Sequence, residues 1–191
     1  MSKFPLLAVT DSASCLRPLP EQIKRIASCN ARPSAVILRA KELNEADYHT
    51  LAQAALQICT EHELPLIVHS DWQLAQELGI KLLHLPLTRL RQLPPPAREH
   101  FTWLSTSVHS VEEALEAQSL EATALIAGHI YATQCKRGLA PRGLEFLKAV
   151  CAAVQLPVYA IGGIGFDAAQ HCELKENGAR GACVMSAYMK L

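Results

Sequence analysis

The chain has 191 residues, half of them hydrophobic, with 18 basic and 18 acidic side chains and a formal charge of zero. That length holds one sizeable domain, and that apolar fraction supports a large core and argues against disorder. The balanced charge, the lack of a basic run and the 5% aromatic content speak against a dedicated nucleic-acid surface, and no stretch approaches the ~20 apolar residues of a membrane-spanning helix.

Seven cysteines stand at positions 15, 29, 59, 135, 151, 172 and 183, an odd number with no C-x-x-C pair. Most lie among helix-like residues, so they read as reduced packing residues of a cytoplasmic protein. The N-terminal apolar run is too short for a secretory h-region and reads as a strand.

Short apolar runs alternate with helical stretches along the chain. "FPLLAVT" (4–10) and "SAVILRA" (34–40) are the first two strand candidates. Asn44 then caps a helix carrying Leu51, Ala55 and Ile58 at helical spacing. "LPLIVHS" (64–70) and "KLLHLPL" (81–87) follow. "RLRQLPPPAREH" holds Pro94 to Pro96, which predicts a short helix and a turn. "FTWLSTSV" (101–108) precedes a helix with Ser110 and Glu113 in capping-box spacing. "TALIAGHI" (123–130), "LPVYAIGG" (156–163) and "GACVMSA" (181–187) complete eight strands. Two helices separate these last three, the second closing on Gly178.

Near-continuous apolar strands are those of a parallel sheet covered on both faces. Eight strand–helix repeats predict a single (β/α)8 TIM-barrel domain over residues 1–191, with an open doubly wound sheet as the alternative. The chain stops four residues after the eighth strand, so the last helix is short or missing, and a homodimer would cover the gap.

In a barrel the C-terminal strand ends share one mouth. Gly162 and Gly163 after strand seven, with Ser186 after strand eight, fit either a phosphate grip or a tight turn. Arg39 and Lys41 fit either an anionic substrate group or a solvated strand end paired with Glu42 or Glu45. His129 ends strand six as a candidate acid–base group, followed by a polar loop with Thr133, Cys135, Lys136 and Arg137. His69, His84 and His109 also lie near strand ends, without the spacing of a zinc motif.

Together these motifs resemble the thiamine phosphate synthase/TenI superfamily of barrels. "LAVTD", "VILRAKEL", "LIVHSDWQLAQELGIKLLHLP", "STSVHSVEEALEA", "AIGGI" and "VMSA" carry the resemblance over nearly the whole chain. Synthases of the superfamily condense a pyrimidine diphosphate with a thiazole phosphate, using Mg²⁺ held by two aspartates. Here His69–Ser70 replaces their Asn-Asp pair, Arg89 falls near their second aspartate, and Ile37 replaces a glutamine. Those departures argue against synthase activity. "GHIYATQCKRGLAPRGLEFL" instead is similar to a segment of TenI-type thiazole tautomerases, whose histidine stands where synthases have proline.

The resemblance therefore implies an isomerase of thiamine biosynthesis. In it His129 would move the proton that aromatises a dihydrothiazole carboxylate phosphate. Gly162, Gly163 and Ser186 would hold the phosphate. Arg39, Lys41, Ser107, Thr133 and Lys136 would contact the carboxylate or form the loop. The expected partner is a small thiazole phosphate, with no cofactor, no metal, no nucleic acid and no membrane. The alternatives are a synthase-like enzyme or a non-catalytic TenI-type regulatory or ligand-binding protein.

Overall fold

Apolar runs bounded by turn residues form eight strands in a computed structural model that describes residues 4–136 and 138–191. Arg137 of the polar loop lies outside the described residues. The strands are β1 (Leu6–Val9), β2 (Ala35–Leu38), β3 (Leu66–His69), β4 (Leu82–Pro86), β5 (Trp103–Val108), β6 (Ala124–Gly128), β7 (Val158–Ile161) and β8 (Gly181–Val184). Each pairs in parallel with the next, and β8 closes onto β1 with Leu7 opposite Cys183. Closure excludes the open sheet and gives the TIM barrel expected from the repeats.

Helices return the chain between strands: α1 (Leu19–Ser28), α2 (Glu45–Glu61), α3 (Trp72–Glu77), α4 (Leu87–Gln92), α5 (Pro95–Arg98), α6 (Val111–Ser119), α7 (Gly143–Ala153), α8 (Ala168–Glu176) and α9 (Ser186–Met189). Asn44 accepts the Asp47 N–H at the start of α2, and Ser110 accepts the Glu113 N–H at the start of α6. The reciprocal bond of the capping box is displaced by one residue, because Glu113 reaches the N–H of His109. Gly178 follows α8 at φ 93°, where a Cβ would sit 2.8 Å from Cys151 Cβ. The triple proline does more than break a helix. Two of its prolines open the one-turn α5, where a missing N–H costs no intrahelical bond.

Strand alternation sends Leu7, Val9, Ile37, Ile67 and Ile126 into the barrel interior. Their neighbours Ala8, Val36, Leu38 and Val68 pack outward against the helices. The eighth helix is reduced to α9, a single turn that buries Tyr188 and Met189 completely. Gln22 of α1 donates to the Tyr188 carbonyl, and the Tyr188 hydroxyl donates to Ala31 O at 2.6 Å. All seven cysteines are free. Cys59 and Cys183 are buried packing residues, whereas Cys172, expected to pack, faces solvent with Cys135. Among the described residues no helix is long and apolar enough to cross a membrane.

Candidate active site

The C-terminal ends of the strands surround a cavity of about 1020 Å³. Parallel strands of similar length bring their last inward-facing residues to one level, so residues far apart in sequence meet there.

On the β2 side, the Thr10 hydroxyl clamps the backbone of Arg39, accepting from its N–H at 2.7 Å and donating to its carbonyl at 2.8 Å. The guanidinium donates to the carboxylate of Asp11. The partner of Arg39 is therefore a residue of the neighbouring strand end, not Glu42 or Glu45. Lys41 lines the cavity beyond it.

At the end of β3, the hydroxyl of Tyr48 accepts the backbone N–H of His69 and donates to Leu38 O, tying two strand ends together. The His69 Nδ1 lies 2.7 Å from Ser70 Oγ. Burial, then the charges of Arg39 and Lys41, push the His69 pKa down to about 4, so its ring is neutral at pH 7. The His84 ring lies 5.4 Å from it. His84 is held between Ser105 (Nδ1 to Oγ, 2.9 Å) and Ser107 (Nε2 to Oγ, 3.0 Å). Burial, with His69 beside it, holds His84 well below the ordinary imidazole range.

The opposite side is built from backbone. Gly128 lies so close to β7 that a Cβ would meet Ile161 O at 2.4 Å. A Cβ on Gly162, at φ 104°, would lie 2.3 Å from His129 Cβ. On Gly163, at φ 69°, it would lie 2.6 Å from Ala132 O. These glycines are required by contact between the β6 and β7 loops. His129 stands at this junction, with its Nε2 buried and, among the described residues, without a hydrogen-bond partner. Beyond it, Thr133 Oγ1 accepts the Cys135 N–H at 3.4 Å, and Lys136 ends a short 3-10 turn.

Arg39, Lys41, Ser107 and His129 all line the one cavity, as do Thr133 and Lys136. Gly162, Gly163 and Ser186 complete the wall. Two further cations, Arg142 and Lys190, also line it and were not singled out from the sequence. Arg142 is the arginine of the quoted "PRG" segment, so a signal existed; Lys190 follows a one-turn helix and had none.

Among the described residues no aspartate or glutamate lines this cavity, and no group of three histidine, cysteine, aspartate or glutamate side chains is placed to hold a metal. A Mg²⁺ ion wants several oxygen ligands, usually carboxylates. A wall of imidazoles and fixed cations does not fit that ion.

The sequence profile of the family described as thiamine monophosphate synthase matches residues 6–188. The chain belongs to that family. A thiamine-phosphate synthase of Desulfitobacterium hafniense strain Y51 is 35% identical over 158 residues, covering 80% of this chain and 73% of the relative. The thiamine-phosphate synthase of Pyrococcus furiosus is 30% identical over 193 residues, covering 98% and 88%. The solved structure of a thiamine phosphate pyrophosphorylase from Pyrococcus furiosus superposes with a TM-score of 0.79 at 26% identity, covering 98% of this chain and 88% of that one.

These relatives correct the isomerase reading. The two sequence relatives are named thiamine-phosphate synthase and the solved structure a thiamine phosphate pyrophosphorylase, names of a transferase and not of an isomerase. The isomerase expectation rested on His129 with the segment after it and on the missing aspartates, whereas the likeness to the synthase family extends over residues 6–188. The expectation that synthase activity is lost is withdrawn with it.

Proposed function

We propose that this member of the thiamine monophosphate synthase family is a synthase-like enzyme that joins a phosphorylated thiazole to a pyrimidine diphosphate. The observation that carries the reading is the two-sided cavity. One wall is bare backbone of a kind that admits a phosphate, and five cations stand around the mouth, two after β2 and three after β6 and β8.

In this reading Gly162, Gly163 and Ser186 receive the thiazole phosphate, because glycine backbone lets N–H groups approach an anion closely. His129 offers its unpartnered Nε2 to the thiazole. Arg39 and Lys41 receive the diphosphate, with Lys136 and Thr133 closing from the loop, while Ser107 on the facing strand meets the pyrimidine. The ring nitrogen of the thiazole supplies the electron pair for the new C–N bond. The C–O bond of the pyrimidine methylene breaks, and its pair leaves on inorganic diphosphate. Alignment of two bound reactants, and positive charge placed where the leaving oxygen becomes negative, are the contributions this wall can make. The free thiols accord with a reducing cytoplasm.

The test is to supply both substrates and follow thiamine phosphate. Formation at enzymatic rates is the expected result. Binding of the thiazole phosphate without product would instead favour a TenI-type ligand-binding protein, a reading that the lack of carboxylates on the wall supports.

A further inference from the structure

The donor set of the cavity disagrees with the Mg²⁺-held diphosphate that the superfamily resemblance implies. His69 and Ser70 stand where the carboxyl-bearing pair of the synthases would be, and the wall carries positive charge in its place. Five cations line the cavity: Arg39, Lys41, Lys136, Arg142 and Lys190. One of them, Arg39, is offset by Asp11. Among the described residues Lys41, Lys136 and Lys190 have no carboxylate partner. Arg142 lies 5.5 Å over the Phe146 ring and, among the described residues, has no carboxylate partner.

Lys41, Lys136, Arg142 and Lys190 are exposed, so water screens their mutual repulsion, and a multiply charged anion bound among them gains from all of them at once. The same field is hostile to a divalent cation. Both effects point one way: the wall suits a multiply charged anion and disfavours a metal.

We propose that the diphosphate of the second substrate is bound by Arg39, Lys41 and Lys136 in place of a divalent metal, so that binding and turnover need no Mg²⁺. This rests on the synthase-like reading for its substrate, but the site itself is defined by its charges. Arg39 presents a planar fork to two phosphate oxygens, while Lys41 and Lys136 act as point charges. When the C–O bond breaks, its electron pair stays on the diphosphate, and these cations stabilise the oxygen that receives it.

Inorganic diphosphate is the probe. Its binding is measured by calorimetry in EDTA and again with Mg²⁺, for wild type and for Lys41→Gln, an exposed position where the change leaves the fold intact by circular dichroism. The expected result is equal binding within about twofold in the two buffers, weakened about tenfold or more by Lys41→Gln and by added salt. Binding that requires Mg²⁺, or that Lys41→Gln leaves unchanged, overturns the proposal. A parallel assay with both substrates separates the two readings. Thiamine phosphate formed only with Mg²⁺ sinks the metal-free site and leaves the synthase standing. Metal-free diphosphate binding without product in either buffer keeps the site and removes the synthase.

Discussion

The two walls of the cavity are made in opposite ways. From β6 to β8 the wall is defined by what is missing: Gly128, Gly162 and Gly163 have no side chain because neighbouring backbone occupies that space. From β2 to β5 it is defined by side chains held in hydrogen bonds, with Arg39 on Asp11 and Thr10, and His84 between two serines. The first wall sets shape and tolerates no added atoms. The second holds the buried imidazoles and the Arg39–Asp11 pair, and tolerates substitution at a graded cost. A cavity built this way can change its chemistry on one side without losing the grip on the other, which is how His69–Ser70 can replace a carboxyl-bearing pair within an intact barrel.

The largest effect should come from the shape wall. Gly162→Ala places a methyl in the His129 backbone at a positive φ, and should cost more than about 3 kcal/mol in a urea titration. A change under about 1 kcal/mol would mean that the wall yields, and the contrast would weaken. On the second wall the test is pH. Above pH ~6.5 His69 is neutral whether folded or unfolded. Below it the unfolded chain takes up a proton that the folded chain refuses until about pH 4, so stability is lost as pH falls through that window. Between pH 7 and pH 5 the loss from His69 should be about 2 kcal/mol. His69→Asn should shrink the difference in unfolding free energy between the two pH values by that amount, and identical pH slopes in the two proteins would refute the assignment. Smaller still is Ser186→Ala, expected to weaken thiazole phosphate binding about tenfold, or ~1.4 kcal/mol, in a calorimetric titration without altering stability. No change in affinity there would remove Ser186 from the phosphate grip.

Much of this was legible in the sequence, because strand spacing fixes which residues reach the mouth. Arg39, His69, Ser107 and His129 could be placed at strand ends from periodicity alone. Their partners could not. Asp11 meets Arg39, and Ser105 meets His84, across neighbouring strands, and only the register of pairing sets those contacts. The need for Gly162 was read as a phosphate approach or a turn, while the structure adds a steric cause in the backbone of His129. The functional reading erred for a related reason. His129 with its loop and a few departures at strand ends were weighed above the remainder of the chain, although such residues fix a possible proton transfer and not the reaction around it.

The seating of His84 has one more consequence, for direction. In the tautomer where the Ser105 hydroxyl donates to Leu83 O, 3.4 Å away, its oxygen accepts from the His84 Nδ1–H. A neutral imidazole with a proton on Nδ1 has only a lone pair on Nε2. The Ser107 hydroxyl must then spend its proton on that nitrogen and turn its oxygen, as an acceptor, toward the cavity. In that tautomer a carbonyl buried in the barrel sets, three hydrogen bonds away, Ser107 to greet an amine rather than an oxyanion.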